Sequence, residues 1–433
     1  MKTIRIPLHP NRALPDGRSG AGRLPLWRSS LHANSFYLMA ANVANAAFGF
    51  LFWTAAARLY EPRAVGLAAA AVSAVGLLAM LATLGLDQAL VRFVPDGAEP
   101  RGLVNSSLTL GVAVALLLSL GFVAGMGVWS PALLPLRQQP LAAAGLVVAA
   151  LGATASGLLH SAFLAWKRAG LGLVQSSVFN LVRIVLVVAL AAGRDAVGLI
   201  GAWALGLAAG VTWGATSGLF RGAGFRYRPA FQRAAVNEMT HFAFANYAAT
   251  VLWGAPVFLL PIVVANLAGP AAAAYFYVAT AASGLVAMIP WAVSASLFAH
   301  GSHDEEQLVR YALESGRAIL LLLVPAVALL LLLGDRVLLL FGKAYSAEGT
   351  RLLQLMALAT LPLAVNFLFF SVRRVRRRMA PVVASTAWIL AVTLGLSVLL
   401  LPRVGLVGVG VAWLAAQSSV AIVLVVRYVF SGR

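Results

Sequence analysis

The chain alternates long apolar segments with short polar ones. A bilayer core of ~30 Å is crossed by about 20 apolar residues in a helix. Stretches of this kind follow one another after residue 34: 35–57, 64–86, 103–129, 141–166, 171–192, 197–220, 240–265, 271–299, 315–333, 350–371, 381–401 and 404–430. The connections between them are short. The pattern therefore predicts an all-α polytopic membrane protein with about twelve transmembrane helices and no soluble domain.

Polar, basic segments interrupt this pattern at the beginning and in the middle. Residues 1–34 carry six basic residues against one acidic residue, and no apolar period, which predicts a basic disordered cytoplasmic tail. Residues 221–239 form a second basic segment, which we interpret as a cytoplasmic linker. The chain is thus predicted to divide into an N-lobe (35–220, spans 1–6) and a C-lobe (240–430, spans 7–12).

The two lobes resemble each other in sequence. The segment AVGLLAM, which contains Gly76, recurs 208 residues later as ASGLVAM, which contains Gly284. Pro62 and Pro270 have the same separation, and each closes the link between the first two spans of its lobe. An even number of spans separates the copies, so both enter the membrane in the same direction. This predicts two parallel six-helix repeats around a central cavity.

Composition narrows the class of protein further. The chain is 61% hydrophobic and 10% charged and has no cysteine. These values exclude a soluble enzyme, a disordered scaffold and a disulfide-stapled secreted module. The net charge of +19 would suggest nucleic acid in a soluble protein. Here, about three times as many Lys and Arg residues fall on the N-terminal side of the membrane as on the other, which predicts cytoplasmic termini and no nucleic-acid partner.

The titratable residues form no catalytic constellation. The six histidines lie in the tail or near the ends of spans, and none belongs to a His-Glu-x-x-His pair. No two carboxylates share the midpoint of a span, so a buried acid–base dyad is not expected. The sequence predicts a transporter without catalytic residues, metal or cofactor. It leaves open whether H⁺ or Na⁺ acts as a coupling ion.

One charged residue, Arg183, lies well inside a predicted span. Arginine near the bilayer centre costs ~2.5–3.5 kcal/mol on insertion scales, so it should face protein or water. Its guanidinium can donate two parallel hydrogen bonds to a diphosphate. Gln175 and Asn180 precede it by eight and three residues and can share one polar stripe. A structural arginine, bonded to backbone carbonyls or extended to the membrane surface, is the alternative.

Three segments resemble a known family. They are ARLYEPRAVGLAAAAVSAVGLLAMLATLGLDQALVRFVP at 57–95, LLLFGKAYSAEGTRLLQLMALATLP at 338–362 and LLLPRVGLVGVGVAW at 399–413. Their order and spacing resemble the Wzx-type polysaccharide flippases of the multidrug/oligosaccharidyl-lipid/polysaccharide (MOP) exporter superfamily. The resemblance implies that two lobes rock alternately and move undecaprenyl-diphosphate-linked oligosaccharide units from the cytoplasmic to the periplasmic leaflet. Twelve spans, rather than fourteen, favour lipopolysaccharide (O-antigen) or exopolysaccharide biosynthesis.

The resemblance also implies a location and partners. The protein is expected in the bacterial cytoplasmic (inner) membrane, in contact with membrane lipids. Its substrate would be the lipid-linked oligosaccharide, whose isoprenoid tail is expected to stay in lipid. A polysaccharide polymerase and glycosyltransferases are further expected partners.

The family arrangement places more polar residues in the cleft between the lobes. Asn42 and Asn45 of the first span, and Asn246 and Tyr247 of the seventh, are then expected to bind substrate. Hydrogen bonding between helices is the alternative role for these side chains.

A polar group also ends the second span at the predicted cytoplasmic face. Asp87, Gln88 and Arg92 are candidates for a cytoplasmic gate, or for the place where the headgroup enters. An interfacial charge pair is the alternative.

Two other functions remain open at this point. A drug or cation antiporter of the same superfamily would commonly need a membrane-embedded Asp or Glu, and none is predicted at mid-depth. A membrane glycan polymerase or ligase would usually carry a sizeable periplasmic loop with arginine and histidine. The largest predicted outer loop, 334–349, is short and partly apolar.

Overall fold

The computed structural model describes residues 30–95, 99–218, 227–229, 232–301, 307–376 and 378–431. These ranges leave out residues 1–29 of the predicted tail and residues 221–226, 230 and 231 of the predicted linker. The secondary structure of the described residues is α-helical, with short 3₁₀ segments and one π-helical turn at 214–218.

Fifteen α-helices make up the described chain. The N-lobe holds α1 (Ser30–Leu59), α2 (Pro62–Ala82), α3 (Leu86–Phe93), α4 (Pro100–Ala124), α5 (Met126–Trp129), α6 (Leu134–Arg137), α7 (Pro140–Ala165), α8 (Ala169–Ala189) and α9 (Ala196–Trp213). The C-lobe holds α10 (Arg233–Ala268), α11 (Pro270–Gly301), α12 (Leu308–Leu339), α13 (Lys343–Val375), α14 (Ala380–Val404) and α15 (Leu406–Ser431).

Twelve of these helices are long. Within the described residues, eleven are long and apolar enough to cross a membrane. The twelfth is α1, which is 30 residues long and whose apolar face is interrupted by Asn42 and Asn45. Six long helices belong to each lobe, which confirms the predicted all-α membrane protein built from two six-helix repeats.

The second predicted span is shorter than its apolar sequence suggests. It ends at Ala82, and the chain then turns through Leu84 (φ 50°) and Gly85 (φ 76°) before the short helix α3. A left-handed φ costs little at glycine, so Gly85 allows this break. Asp87, Gln88 and Arg92 therefore lie on α3 rather than at the end of α2.

The repeat is visible where the lobes meet. Pro62 and Pro270 each occupy the first turn of their helix, α2 and α11, where proline's missing N–H costs nothing. A Cβ atom at Gly66 would overlap the Pro270 carbonyl and would lie 3.0 Å from the Ala274 nitrogen. Gly66 and Ala274 are themselves 208 residues apart. Equivalent helices therefore touch at equivalent positions, close to the axis that relates the lobes.

The lobes are sealed at the end of the bundle where α1, α10 and α12 end, which we name the far face. Arg58 donates hydrogen bonds across the interface to the carbonyls of Leu340 (2.9 Å) and Leu339 (2.8 Å). Phe341, in the loop between α12 and α13, meets Phe50 edge to face with centroids 5.1 Å apart. Backbone contact, hydrogen bonds and stacked rings together close this face.

The opposite end, which we name the linker face, is closed along one seam. Between α2 and α10, the Phe258 ring packs directly on Gly76. The Tyr247 hydroxyl donates to the Leu81 carbonyl at 2.9 Å. The equivalent seam, between α1 and α11, is open at Gly284, where an added Cβ would meet no atom within 4 Å. This difference between two equivalent seams leaves a cavity in the bundle.

Candidate functional site

The central cavity has a volume of about 770 Å³. It lies between α1, α2, α7, α8 and α9 of the N-lobe and α10 and α11 of the C-lobe. Trp53, Tyr277 and Phe341 line it near the far face, and His160 and Gly172 line it near the linker face. Asn42 and Asn45, the cavity residues of α1 nearer the linker face, are exposed, whereas Phe52, Trp53 and Ala56, nearer the far face, are buried. The cavity therefore opens toward the linker face.

Five of the predicted site residues share this cavity. They are Asn42, Asn45, Gln175, Asn180 and Arg183. The three on α8 form one polar stripe that is almost completely buried, with exposed fractions of 2%, 1% and 3%. The stripe proposed from their spacing is therefore present as a geometric feature of α8.

Close packing against α9 holds α8 in this orientation. Cβ atoms added at Gly206 and Gly210 would lie 3.0 Å and 3.1 Å from the carbonyl oxygens of Phe179 and Gln175. Glycines spaced four residues apart leave room for the α8 backbone, as small residues do in membrane helix pairs. The remaining side of α8 faces the cavity.

Arg183 is surrounded by aromatic rings rather than by acids. Its guanidinium carbon lies 4.4 Å from the ring centroids of Phe179 and Trp203, and 5.0 Å from that of Phe52. Among the described residues, no carboxylate forms an ion pair with it, and its Nε has no hydrogen-bond partner. Ring faces attract a cation but leave its N–H groups unpaired. The aromatic cage thus positions a guanidinium that still has donors to offer.

The side-chain amides of Asn180 and Gln175 make some of their possible hydrogen bonds. Asn180 donates its Nδ2 to Asn45 Oδ1 at 2.6 Å and to the Ser176 carbonyl at 2.7 Å, which links α8 to α1. Gln175 donates its Nε2 to Ser156 Oγ at 2.9 Å. The side-chain oxygens Asn180 Oδ1 and Gln175 Oε1 are buried and have no hydrogen-bond partner. The stripe therefore offers guanidinium donors at one end, while its amides join α8 to α1 and α7 and the unpaired oxygen of Gln175 lies beside Gly214.

Of the two residues predicted on the seventh span, Tyr247 lies outside the cavity. Tyr247 is bonded to the Leu81 carbonyl in the closed seam and does not line the cavity. The side chain of Asn246 lies outside the described residues. Within the described structure, Tyr247 joins α10 to α2 by a hydrogen bond, which is the alternative role given for it above.

Asp87, Gln88 and Arg92 lie on α3 at the linker face, outside the cavity lining. Gln88 donates its Nε2 to Thr250 Oγ1 of α10 at 3.0 Å, beside the closed seam. Burial raises the pKa of Asp87 above its ordinary value, although backbone hydrogen bonds oppose the effect. No ion pair joins Asp87 to Arg92 among the described residues. This group therefore belongs to the seam rather than to the cavity.

Sequence reasoning missed the aromatic cage. Phe179 precedes Arg183 by four residues, a spacing that places both on one face of α8 and was an available signal. Phe52 and Trp203 come from α1 and α9, and nothing in the sequence relates them to Arg183. As for metals, the described residues contain no group of three or more His, Cys, Asp or Glu side chains that could hold an ion.

Comparison with known structures identifies the fold. The chain is similar to the lipid II flippase MurJ in an inward closed conformation, with a TM-score of 0.73, 13% identity and coverage of 91% of this chain and 87% of that one. It is also similar to a multidrug resistance MATE family transporter of the MOP superfamily, inward-facing (TM-score 0.62, 16% identity, 88% and 92% covered) and outward-facing (0.57, 16%, 92% and 95%). The chain therefore has the MOP fold.

Sequence comparison gives the family. No curated protein sequence matches the chain. A family model described as "Polysaccharide biosynthesis protein" matches residues 31–297, which is more than half of the chain. This match covers the N-lobe from residue 31, the first long helix of the C-lobe and most of the second, and so includes every lining residue of the central cavity except Phe341. The chain belongs to the polysaccharide biosynthesis protein family.

Proposed function

We propose that this protein translocates undecaprenyl-diphosphate-linked oligosaccharide units from the cytoplasmic to the periplasmic leaflet, for lipopolysaccharide or exopolysaccharide biosynthesis. The family and the fold support a flippase of lipid-linked sugars. The excess of basic residues supports a cytoplasmic linker face, and in that orientation the conformation described here opens inward.

The observation that carries this proposal is the guanidinium of Arg183. It is buried in a membrane-spanning helix, lacks an acidic partner among the described residues and lines the cavity. An unneutralised cation at this depth is costly, and an anionic ligand would offset the cost. A diphosphate can accept two parallel N–H bonds from guanidinium, and such charge-assisted bonds are strong.

Asn180 and Gln175 extend the site toward the linker face. Both side chains line the cavity, and a change of rotamer would turn their unpaired oxygens, which are buried in this conformation, toward sugar hydroxyl groups. In this arrangement the diphosphate binds deep in the cavity and the first sugars trail toward the cytoplasm. Opening of the far face, with closure of the linker face, would then release the headgroup on the other side.

An Arg183→Gln variant tests the proposal in a strain that lacks the native gene. Losing a hydrogen-bonded charge should cost about 1.5–3 kcal/mol, roughly a 10- to 100-fold loss of affinity. We expect surface polysaccharide to fall and lipid-linked units to accumulate in the inner leaflet, with Arg183→Lys giving partial recovery. Arg317→Gln, an exposed arginine of α12, is the matched control. Normal polysaccharide from Arg183→Gln at equal abundance in the membrane would contradict the proposed role of Arg183.

A drug or cation antiporter is less well supported by the cavity. Its lining includes Arg183 and His160 but no Asp or Glu. A cationic substrate would therefore meet a like charge and no carboxylate. Increased resistance to cationic dyes on overexpression, abolished by changes in the central cavity, would favour the antiporter instead.

A further inference from the structure

A second cavity of about 420 Å³ lies within the C-lobe, between α10, α11, α13 and α15. Its volume is in the usual range for small-ligand sites. Six aromatic side chains contribute to its wall: Trp253, Phe276, Tyr277, Trp291, Phe367 and Trp413. Its lining contains no charged residue.

The Ser and Thr hydroxyl groups in this wall are already satisfied. The Thr280 hydroxyl donates to the carbonyls of Phe276 and Tyr277 in its own helix. Ser283 donates to the Thr280 carbonyl, and Thr360 donates to the Ala357 carbonyl. Each hydroxyl therefore turns its hydrogen back to the backbone. The wall is suited to an apolar ligand rather than to a sugar or an ion.

The second cavity adjoins the central one along α11. Tyr277, Ala281, Gly284 and Met288 line both cavities. Ala281 and Gly284 are exposed, and an added Cβ at Gly284 would meet nothing within 4 Å. The middle of the partition, between Tyr277 and Met288, is therefore formed by small residues, with a window at Gly284.

The head of the proposed substrate lies near the Tyr277 end of this partition, about two helical turns from Gly284. Tyr277, which belongs to both walls, stacks on Trp53 with centroids 4.5 Å apart, and Trp53 lines the central cavity beside Arg183. At its other side, the second cavity reaches the half-exposed Trp291 and the exposed Val257 on the outer surface of the bundle. A chain leaving a diphosphate at Arg183 thus has an apolar route through the C-lobe to the bilayer.

We infer that the C-lobe cavity binds the first isoprene units of the polyprenyl chain, next to the diphosphate. This inference rests on the proposed function and replaces the expectation that the whole tail stays in lipid. Lipid is as apolar as the cavity, so selectivity must come from packing of the branched chain against rigid rings. Met288 and Met356 can adapt their shape to the methyl branches.

Photolabelling tests this inference. The protein is placed in nanodiscs of phosphatidylcholine and phosphatidylglycerol with geranylgeranyl diphosphate that carries a diazirine on its second isoprene unit. We expect labelled peptides from α10 and α13, including those with Trp253 and Met356. Gly284→Leu, which closes the window, and Thr360→Phe, which fills the cavity, should each remove this label. Gly395→Leu is the matched control, since Gly395 lies in α14, is exposed and has no atom within 4 Å of an added Cβ.

Binding of probes with different chain lengths separates this inference from the proposed function. We expect geranylgeranyl diphosphate to bind about tenfold more tightly than dimethylallyl diphosphate, as expected when methylene groups fill a fitted pocket. Thr360→Phe and Gly284→Leu should reduce this ratio toward one, whereas Arg183→Gln should weaken both probes alike.

Three results would overturn the inference. The first is that Thr360→Phe and Gly284→Leu leave the affinity ratio of the two probes unchanged while Arg183→Gln still weakens the binding of both. The proposed function would then stand without the inference. The second is labelling of the same peptides by a diazirine phosphatidylcholine that geranylgeranyl diphosphate does not displace, which would assign the cavity to a phospholipid acyl chain. The third is failure of the wild-type protein to bind either diphosphate, which would remove the proposed function as well.

Discussion

Arg58 Nε donates a hydrogen bond to the Leu340 carbonyl at 2.9 Å, although the two residues are 282 positions apart in the chain. The bond joins the end of α1 in one lobe to the end of α12 in the other. It is present while the cavity opens toward the linker face. In the proposed transport cycle the far face separates, so this bond would have to break each time.

Removal of this bond should favour the conformation open at the far face. Arg58→Gln loses a charge-assisted pair of bonds to Leu339 and Leu340, worth about 1 kcal/mol at an exposed site, which is a roughly fivefold change in the ratio of states. The measurement is the distance between spin labels at Val128→Cys and Arg403→Cys, two exposed far-face positions in a chain without native cysteine.

Arg137→Gln provides the control for this experiment. Arg137 also lies at the far face and donates to a backbone carbonyl, that of Ala124, but both residues belong to the N-lobe. Its loss should leave the distance distribution unchanged. An equal shift in both variants would show that the Arg58 bonds have no specific role in closing the lobes.

The hydrogen bond between Asn180 and Asn45 should stabilise the cavity wall. Asn45→Ala removes the 2.6 Å bond between α8 and α1 and should cost about 0.6–1.7 kcal/mol, the range for side-chain bonds in membrane bundles. Thermal unfolding in nanodiscs measures the loss. Asn42→Ala is the control, since Asn42 lines the same cavity one turn earlier. Equal stability of the two variants would argue against the contribution of this bond.

Gly206 should tolerate no larger residue. Gly206→Ala places a methyl group 3.0 Å from the Phe179 carbonyl and 3.1 Å from Arg183 Cβ, so α9 must move away from α8. Overpacking of this kind costs about 1–3 kcal/mol, and we also expect a shift of the polar stripe with reduced transport. Thermal unfolding and polysaccharide output measure the two effects. Gly201→Ala, whose nearest neighbour would be Leu190 Cδ1 at 4.0 Å, should behave like the wild type.

Protonation of Asp87 should stabilise the folded protein, so the stability should rise as the pH is lowered. The folded pKa of Asp87 is raised by burial, so the folded state binds the proton more readily than the unfolded state does. Between the two pKa values, stability therefore falls as the pH rises. Asp87→Asn should remove this slope and should be more stable than the wild type at neutral pH. Identical pH profiles of the melting temperature in the two proteins would contradict the prediction.

Much of the fold follows from the sequence because apolar length and repetition are local properties. The twelve spans and the parallel repeat need only hydropathy and the fixed separation of pairs such as Pro62 and Pro270. The break after Ala82 was missed because an apolar segment keeps its hydropathy across a turn. Gly85 was the one signal of a left-handed φ at that point.

The candidate site was only partly predictable. The stripe of Gln175, Asn180 and Arg183 follows from spacing within a single helix. The aromatic cage and the C-lobe cavity depend on helices that meet only after folding. Tyr247 illustrates the same limit, since its partner, the Leu81 carbonyl, is a backbone atom that no side-chain pattern indicates.

The contact of Gly66 with Pro270 has an electrical consequence for the proposed transport direction. Since the cavity admits water from the linker face, the membrane potential falls mainly across the thin closed layer at the far face. A negatively charged headgroup crossing that layer outward, toward the positive side of an energised membrane, gains about 2.3 kcal/mol per charge for each 100 mV. The geometry of the seal therefore lets the voltage itself favour export over return.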